Sequence, residues 1–257
     1  MSGDLEFDVR GSTAFITFNR PASRNAMTWE MYQALHDACE KIDADDEVRV
    51  AVLRGAGRKA FVAGTDIHQF LEFDSPADGM AYERRIGEVI DRIEAVTVPT
   101  IAVIEGYAVG GGLVIAAACD LRIAAPTARF GLPIARTLGN CVSISTCARL
   151  VALIGPARAL ELVYTAKFIE AQAALDLGLV NEVAATEDLD AHVHRLCERL
   201  AGHAPMTMQA TKEMIRRLRS HGLPDADDLV ARCYGSADFR EGVAAFVDKR
   251  PPVWVGR

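Results

Sequence analysis

The first half of the sequence alternates short β-like apolar runs with helical segments. The predicted strands are residues 13–18, 48–53, 100–104 and 121–124, and the predicted helices are residues 27–42, 80–93 and 112–119. Strands that alternate with helices usually pair in parallel, and the helices pack on the faces of the sheet. The alternation therefore predicts an α/β fold with a mostly parallel sheet.

The second half of the sequence has helical periodicity. The helical segments are residues 157–163, 169–177, 191–200, 206–218 and 225–234, followed by residues 238–246 in the tail. Helices gathered at one end of a chain either cap the core of that chain or dock on another subunit. We predict a core region over residues 1–195 and a C-terminal helical region over residues 196–257.

The composition argues against several classes of protein. The chain has 257 residues, 50% of them hydrophobic, and a net charge of −7 with its Lys and Arg residues dispersed. Nucleic-acid-binding proteins usually carry a basic patch, so we expect no nucleic-acid partner. No apolar stretch reaches the roughly 20 residues that span a bilayer, so we expect no membrane partner. Residues 1–6 lack a signal-peptide pattern, which predicts a cytoplasmic location.

The cysteines and histidines do not have the spacing of a metal site. The six cysteines are Cys39, Cys119, Cys141, Cys147, Cys197 and Cys233. They form no CxxC pair with a second ligand pair, as a zinc site would require. His192 and His194 are two residues apart in a predicted helix, which places them on different faces. We therefore expect no metal ion.

Two glycine-rich segments, residues 61–67 and 106–112, each follow a β-like run and lead toward a helix. Free backbone N–H groups at such turns can bind a developing negative charge on oxygen. The alternative is that the glycines of the second segment only allow a helix to pack closely on a strand. One turn alone favours close packing, whereas two turns in this order favour an oxyanion site.

A nucleotide-binding interpretation is weaker. Residues 55–60 fit the pattern G-x-G-x-x-A after a strand, as a dinucleotide fingerprint would. The residues that follow look extended, however, whereas a fingerprint glycine opens a helix at once. The second turn lacks the Lys-Ser/Thr pair of a phosphate loop.

The chain resembles the crotonase family, also called the enoyl-CoA hydratase/isomerase family, in five segments. Residues 18–27 resemble the family's N-R-P-x-x-R-N-A opening, and residues 60–67 its A-F-x-A-G-x-D-I segment. Residues 106–112 resemble its G-Y-A-x-G-G-G turn, residues 130–133 its F-G-x-P segment, and residues 238–251 its tail. The order and spacing of the segments are specific together, and the resemblance extends over nearly the whole chain.

The resemblance implies a fold and an assembly. The family's fold is a spiral of ββα units with a C-terminal helical region that assembles trimers, often paired into hexamers. We therefore expect a homotrimer or a dimer of trimers, with residues 196–257 packing on the core and on a neighbouring subunit.

The resemblance also implies an acyl-CoA thioester as the substrate, with no metal or redox cofactor. Two backbone N–H groups polarise the thioester carbonyl and stabilise the enolate, and in this chain they belong to Thr65 and Gly111. The residues that match the family's substrate-binding positions are Arg24, Ala26, Ala63, Gly64, Asp66, Ile67, Gly110, Val114, Ile134, Phe246 and Lys249.

Several of these positions also have simpler interpretations. Arg24 pairs with a phosphate of CoA or is a solvated loop residue. Asp66 precedes a helical segment, and we expect helix capping to be its main role. Phe246 and Lys249 reach the CoA of a neighbouring subunit or pack at the end of a helix.

Both catalytic glutamates of the family's hydratases are missing. One glutamate holds and deprotonates water while the other delivers a proton to carbon, and their positions are occupied by Val114 and Ile134. Each such group typically contributes about 10²–10⁴-fold to the rate, so hydration by this route should be very slow. Substrate binding and enolate stabilisation do not depend on these two side chains.

The segment 135–143 departs from the family's glycine-rich stretch and offers three other candidates. Arg136 is a candidate carboxylate binder, Asn140 a hydrogen-bond donor and Cys141 a thiol. The alternatives are that Asn140 and Ser143 cap a helix, that Cys141 is buried and that Arg136 forms a salt bridge. A cysteine nucleophile would also need a nearby base or a lowered pKa.

The leading functional hypothesis is an enzyme that binds an acyl-CoA thioester and stabilises its enolate, similar to enoyl-CoA hydratases and isomerases. A decarboxylase or hydrolase of the same fold is an alternative, because loss of CO₂ needs no base and an apolar pocket favours it. A non-catalytic subunit that binds CoA thioesters is a second alternative, and a nucleotide-binding oxidoreductase is a distant third.

Overall fold

The strands form two sheets, and those in the middle of the chain alternate between them. The computed structural model describes residues 3–220, 222 and 225–256. The six-stranded sheet contains, in spatial order, β1 (Leu5–Arg10), β2 (Thr13–Phe18), β3 (Val50–Gly55), β5 (Thr100–Ile104), β7 (Leu121–Ala124) and β10 (Glu182–Val183). The four-stranded sheet contains β4 (Ala60–Val62), β6 (Tyr107–Val109), β8 (Arg129–Gly131) and β9 (Ile169–Glu170).

The pairs β3–β4, β5–β6 and β7–β8 each give one strand to each sheet before the chain turns into helix. This repeat confirms the spiral of ββα units. The strands pair in parallel except for β1 with β2 and β8 with β9. The four strands that the sequence predicts correspond to β2, β3, β5 and β7.

Every predicted helical segment overlaps a helix, but residues 134–137 form an additional helix, and the helix over residues 144–165 is much longer than the predicted segment 157–163. The described residues contain ten α-helices. They are α1 (Trp29–Asp43), α2 (Pro76–Ala95), α3 (Gly111–Ala118), α4 (Ile134–Thr137), α5 (Ile144–Thr165), α6 (Ala171–Asp176), α7 (Leu189–Ala201), α8 (Pro205–Ser220), α9 (Asp227–Tyr234) and α10 (Ala237–Val247). The prediction of a helix over residues 169–177 is wrong at its start. Ile169 and Glu170 form β9 because they pair with Phe130 and Arg129 of β8.

The centre of the six-stranded sheet is buried on both faces. Val50 and Val52 of β3 face α7, whereas Ala51 and Leu53 alternate with them and face the main core. This period of two is that of a strand between two helical layers, and it explains why β3 is apolar along most of its length. The rigid sheet fixes the ends of the strands from which the candidate site is built.

The C-terminal helices pack on the elements that surround the site. Helix α9 packs along α2, and α10 packs on the 3₁₀ helix Ile67–Glu72. The rings of Tyr82, Tyr234 and Phe239 join these elements, with Tyr234 and Phe239 4.8 Å apart between centroids. The C-terminal region thus covers the core of its own chain.

The division into residues 1–195 and 196–257 stays a prediction. Helix α7 runs across the boundary between these two regions without a break, and residues 1, 2, 221, 223, 224 and 257 lie outside the described residues.

In the part of the chain that the structure describes, no helix combines the length and hydrophobicity needed to span a bilayer. The cytoplasmic location is likewise a prediction.

Candidate active site

Three turns meet at one edge of the four-stranded sheet. β4, β6 and β8 lie side by side in parallel, so their carboxyl ends share an edge. The first turn, residues 63–66, follows β4; the second, residues 110–112, follows β6; and residues 132–133 follow β8. Ligands of α/β sheets commonly bind at the carboxyl ends of the strands.

Glycine is needed at two points where the first and second turns touch. Gly64 has a φ of 105° and Gly110 a φ of 55°, a left-handed region that favours glycine. A Cβ atom on Gly110 would lie 3.6 Å from the Cα atom of Gly64. The two turns are therefore in direct contact.

The backbone N–H groups of Thr65 and Gly111 are both free. Thr65 lies opposite Met27 in an isolated β-bridge, but the two hydrogen bonds of this bridge involve the residues on either side of Thr65. The Met27 N–H donates to the Gly64 carbonyl, and the Asp66 N–H donates to the Met27 carbonyl. Gly111 is the first residue of α3, where an N–H has no partner inside the helix. Among the described residues, neither N–H donates a hydrogen bond.

The two free groups are close together and line the same cavity of about 540 Å³. A Cβ atom on Gly111 would lie 3.8 Å from the backbone nitrogen of Thr65. The arrangement has the features of an oxyanion site: two fixed donors that need no reorganisation to meet a charged oxygen. The second turn also allows α3 to pack closely on β4, because a Cβ atom on Gly112 would lie 1.9 Å from the carbonyl oxygen of Val62.

The Thr65 side chain is anchored by two phenols. Its Oγ1 lies 2.8 Å from the Tyr32 hydroxyl and 2.9 Å from the Tyr82 hydroxyl. Burial raises the pKa of Tyr32 to about 12 and the pKa of Tyr82 well above 10. Both phenols are therefore neutral at physiological pH and hold the first turn as hydrogen-bonding groups.

Most of the residues that the resemblance assigns to substrate binding line this cavity. They are Arg24, Ala26, Ala63, Gly64, Asp66, Ile67, Gly110, Val114, Ile134 and Phe246. Lys249 is exposed and is not among the described residues that line the cavity. Phe246 lines the cavity of its own chain, and contact of the tail with the CoA of a neighbouring subunit stays a prediction. The exposed Arg24 guanidinium lies 5.7 Å from the ring centroid of Tyr107.

Asp66 has the capping role that we expected. Its carboxylate accepts a hydrogen bond from the backbone N–H of His68, at the start of the 3₁₀ helix Ile67–Glu72. It also pairs with Arg20 at 3.2 Å. Burial works against ionisation here, but the hydrogen bonds from His68 and Arg20 outweigh it and lower the pKa of Asp66.

The three candidates in segment 135–143 have different surroundings. Arg136 is exposed and does not belong to the described cavity lining, whereas Asn140 and Cys141 do. A hydrogen bond with Cys233 and burial raise the pKa of Cys141, which disfavours a thiolate. Ser143 accepts a hydrogen bond from the backbone N–H of Thr146 and caps α5. The catalytic roles of the three candidates stay predictions.

Glu83 places a carboxyl group in the cavity that the sequence motifs did not indicate. Glu83 lies on α2 with Ile86, Gly87 and Ile90, which line the same cavity. The Tyr234 hydroxyl donates to its Oε1 atom at 2.7 Å, and the backbone N–H of Ser143 also donates to its carboxylate. The available signal was an acidic residue on the apolar stripe of an amphipathic helix.

Burial raises the pKa of Glu83 from 4.5 to about 7, against the lowering effect of the hydrogen bonds from Tyr234 and Ser143.

Among the described residues, the one cluster with metal-ligand geometry is His36, Asp37 and Glu40 on α1. None of these three lines the cavity.

Comparison with known proteins gives the chain a family. Residues 8–257 match the family model described as enoyl-CoA hydratase/isomerase. A short-chain-enoyl-CoA hydratase from Clostridium acetobutylicum is 33% identical over 247 residues, covering 95% of this chain and 94% of the relative. An (E)-benzylidenesuccinyl-CoA hydratase from Thauera aromatica is 34% identical over 257 residues, covering 98% of this chain and 99% of the relative.

Solved structures agree with these matches. A methylmalonyl-CoA decarboxylase complexed with 2S-carboxypropyl CoA superposes with a TM-score of 0.91 and 28% identity over 100% of both chains. An enoyl-CoA hydratase/carnithine racemase from Magnetospirillum magneticum has a TM-score of 0.82 and 34% identity, covering 100% of this chain and 97% of the other. The chain belongs to the enoyl-CoA hydratase/isomerase family.

Proposed function

We propose that this protein binds an acyl-CoA thioester and stabilises its enolate between the backbone N–H groups of Thr65 and Gly111. The observation that carries the proposal is the pair of free N–H groups at adjoining turns of one cavity. The carbonyl oxygen gains negative charge as the enolate forms, so both donors bind it more strongly in the transition state than in the ground state. A single fixed donor of this kind contributes about 3 kcal/mol. The proposed chemistry uses no metal or redox cofactor.

Arg24 is our candidate for a CoA phosphate contact. Its guanidinium is exposed at the cavity, and charge-assisted hydrogen bonds to phosphate are about twice as strong as neutral ones. Phe246 offers half-exposed apolar surface on the same lining, which suits the uncharged part of the CoA chain.

The cavity supports proton transfer at carbon better than hydration through two glutamates. Val114 and Ile134 line it and are 5% and 8% exposed, so neither position provides an acid or a base. Moving a double bond requires one group that removes a proton from one carbon and returns it to another. We therefore propose double-bond isomerisation of an enoyl-CoA as the reaction.

Decarboxylation is the second candidate. An apolar environment destabilises a carboxylate that is about to leave as CO₂, and Val114 and Ile134 make part of the cavity apolar. The likeness to methylmalonyl-CoA decarboxylase over the full length of both chains also favours it. The same pair of N–H groups would stabilise the enolate that remains.

Mass spectrometry in D₂O distinguishes these possibilities. The protein is incubated with butyryl-CoA, crotonyl-CoA, 3-hexenoyl-CoA and methylmalonyl-CoA, and binding of each is measured by calorimetry. Deuterium uptake at the α-carbon with isomerisation of 3-hexenoyl-CoA supports the proposal, and loss of CO₂ supports decarboxylation. Binding of all four thioesters without uptake or turnover would contradict the proposal and favour a non-catalytic subunit.

A matched pair of variants separates the effect of the Gly111 N–H from the effect of adding atoms at this position. A Cβ atom on Gly111 would lie 2.8 Å from the Tyr32 hydroxyl, so the variants are made in a Tyr32→Phe background. Gly111→Ala keeps the N–H and Gly111→Pro removes it, and the first position of a helix accepts proline. We expect deuterium uptake to fall about 100-fold in the proline variant relative to the alanine variant.

We also propose that the protein forms a homotrimer or a dimer of trimers through its C-terminal region. Helix α8 exposes Met206, Met214, Ile215 and Leu218 in the single chain. Exposed apolar groups of this kind often mark protein–protein contacts. Light scattering coupled to size-exclusion chromatography tests this, and a monomer at micromolar concentration would contradict it.

A further inference from the structure

We propose that Glu83 is the catalytic acid–base group of this site, taking the proton from the α-carbon of the bound thioester and returning it. The proposal rests on the proposed function, because the α-proton of the thioester is acidic enough for Glu83 to remove only when the oxyanion site stabilises the enolate. Val114 and Ile134 leave their positions without a proton carrier, and Glu83 places one in the same cavity from a different element, α2.

Helix α2 ties the position of Glu83 to the oxyanion turn. Tyr82, the preceding residue, contacts Thr65 Oγ1 at 2.9 Å, and Thr65 provides one of the two free N–H groups. The Cα atoms of Tyr82 and Glu83 are separated by about 3.8 Å, as for any two consecutive residues. A movement of α2 relative to the turn would break the Tyr82 contact, so this contact keeps the helix that carries Glu83 at a fixed position relative to the oxyanion turn.

A relay of hydrogen bonds orients the carboxylate. The Asn140 amide donates to the Tyr234 hydroxyl at 3.2 Å, which leaves that hydroxyl free to donate to Glu83 at 2.7 Å. Asn140 Oδ1 is buried and has no hydrogen-bond partner among the described residues. A buried acceptor of this kind is costly unless a bound group provides a donor, so it adds a polar contact for a ligand.

The groups that face Glu83 do not compete with it for a proton at neutral pH. They are Tyr82 on α2, Tyr32 on α1, Tyr234 on α9, Cys147 on α5 and Cys141 before α5. Burial raises the pKa of the three tyrosines and of Cys147, and a hydrogen bond with Cys233 together with burial raises the pKa of Cys141. Cys233, which contacts Cys141, has a pKa lowered to about 7 by that hydrogen bond but does not line the cavity.

The step balances without a co-reactant. The Glu83 carboxylate takes the α-proton, the C–H electron pair becomes the carbon–carbon double bond of the enolate, and the carbonyl π pair moves to the oxygen between Thr65 and Gly111. For a 3-enoyl thioester the enolate is a dienolate. Protonated Glu83 then delivers the proton to the γ-carbon, the carbonyl reforms, and the product is the 2-enoyl thioester.

The test compares native protein with Glu83→Gln and with Glu88→Gln, a control on the exposed side of the same helix. We measure isomerisation of 3-hexenoyl-CoA, deuterium uptake into butyryl-CoA, affinity for both thioesters by calorimetry, and thermal stability. We expect Glu83→Gln to lose about 10²–10⁴-fold in kcat and uptake with affinity changed less than about threefold. Glu88→Gln should match native protein.

The pH profile adds a readout that a structural role would not change. The native rate should rise with pH through a midpoint near 7, since the carboxylate is the base, and a Cys233→Ser variant should keep that midpoint. A folded Glu83→Gln variant with uptake near the native rate, or a native rate that is flat from pH 5 to 9, would overturn the assignment of Glu83. Native protein that binds both thioesters without uptake or isomerisation would overturn the proposed function and this inference with it.

Discussion

The hydroxyl of Tyr234 on α9 donates a 2.7 Å hydrogen bond to the carboxylate of Glu83 on α2. Tyr234 belongs to the C-terminal helical region, and Glu83 lines the same cavity as the two free N–H groups. The C-terminal region therefore contributes to the environment of the candidate acid–base group. Its role in this chain extends beyond covering the core.

Removing the Tyr234 hydroxyl should make Glu83 harder to ionise. The hydrogen bond from Tyr234 lowers the pKa of Glu83 relative to burial alone, so Tyr234→Phe should move the midpoint of the pH–rate profile above its native value near 7. The measurement is deuterium uptake into butyryl-CoA as a function of pH. An unchanged midpoint in a folded Tyr234→Phe variant would show that Glu83 does not set the profile.

The buried carboxyl group should also affect stability as pH changes. The pKa of Glu83 is about 7 in the folded chain against 4.5 for the free group, so the folded state binds more protons between these values. Its contribution to the free energy of unfolding therefore falls as pH rises from 4.5 to 7, by at most about 3 kcal/mol. Urea unfolding of native protein and Glu83→Gln across this range measures the difference, and parallel curves would contradict the expectation.

Gly112 should tolerate no side chain. A Cβ atom there would lie 1.9 Å from the Val62 carbonyl oxygen, which is backbone and cannot turn away. We expect Gly112→Ala to lower the free energy of unfolding by about 3 kcal/mol. Gly87→Ala is the matched control, since a Cβ atom on Gly87 meets nothing within 4 Å and alanine favours helix by up to about 1 kcal/mol. Equal urea midpoints for the two variants would contradict the packing argument.

Restoring glutamates at Val114 and Ile134 should introduce hydration. Both residues line the cavity, and the resemblance to the family's hydratases assigns the two acid–base glutamates to these positions. We expect the double variant Val114→Glu, Ile134→Glu to hydrate crotonyl-CoA at least about 100-fold faster than native protein. The double glutamine variant has nearly the same volume without a titratable group and should stay at the native rate. Equal rates for the two double variants would show that these positions do not control hydration.

The sequence predicted the parts of the fold that depend on long apolar runs. β2, β3, β5 and β7 were found because their apolar runs were evident, whereas β4, β6 and β8 have three residues each and were not assigned as strands. Such short strands are stabilised by pairing with one another, and the local sequence pattern holds no information about that pairing. The short β9 was mistaken for the start of a helix for the same reason.

The candidate site was predictable where a backbone motif encoded it. The two glycine turns predicted an oxyanion site, and the resemblance to the family assigned its two donors to Thr65 and Gly111, whose N–H groups are free in the structure. Glu83 was missed because it lies 18 residues after Thr65 and reaches the cavity only through the packing of α2. Its partner Tyr234 is 151 residues away in sequence, so no local pattern could have joined the two.

The thioester carbonyl stretch measures the central claim most directly. Butyryl-CoA labelled with carbon-13 at its carbonyl is bound to native protein and to the Gly111→Ala and Gly111→Pro variants in the Tyr32→Phe background, and difference infrared spectra are recorded. If the N–H groups of Thr65 and Gly111 polarise the carbonyl, its stretching frequency falls below the value in water for native protein and for Gly111→Ala, and the shift shrinks in Gly111→Pro. A bound carbonyl in native protein whose frequency equals or exceeds the value in water would contradict the account.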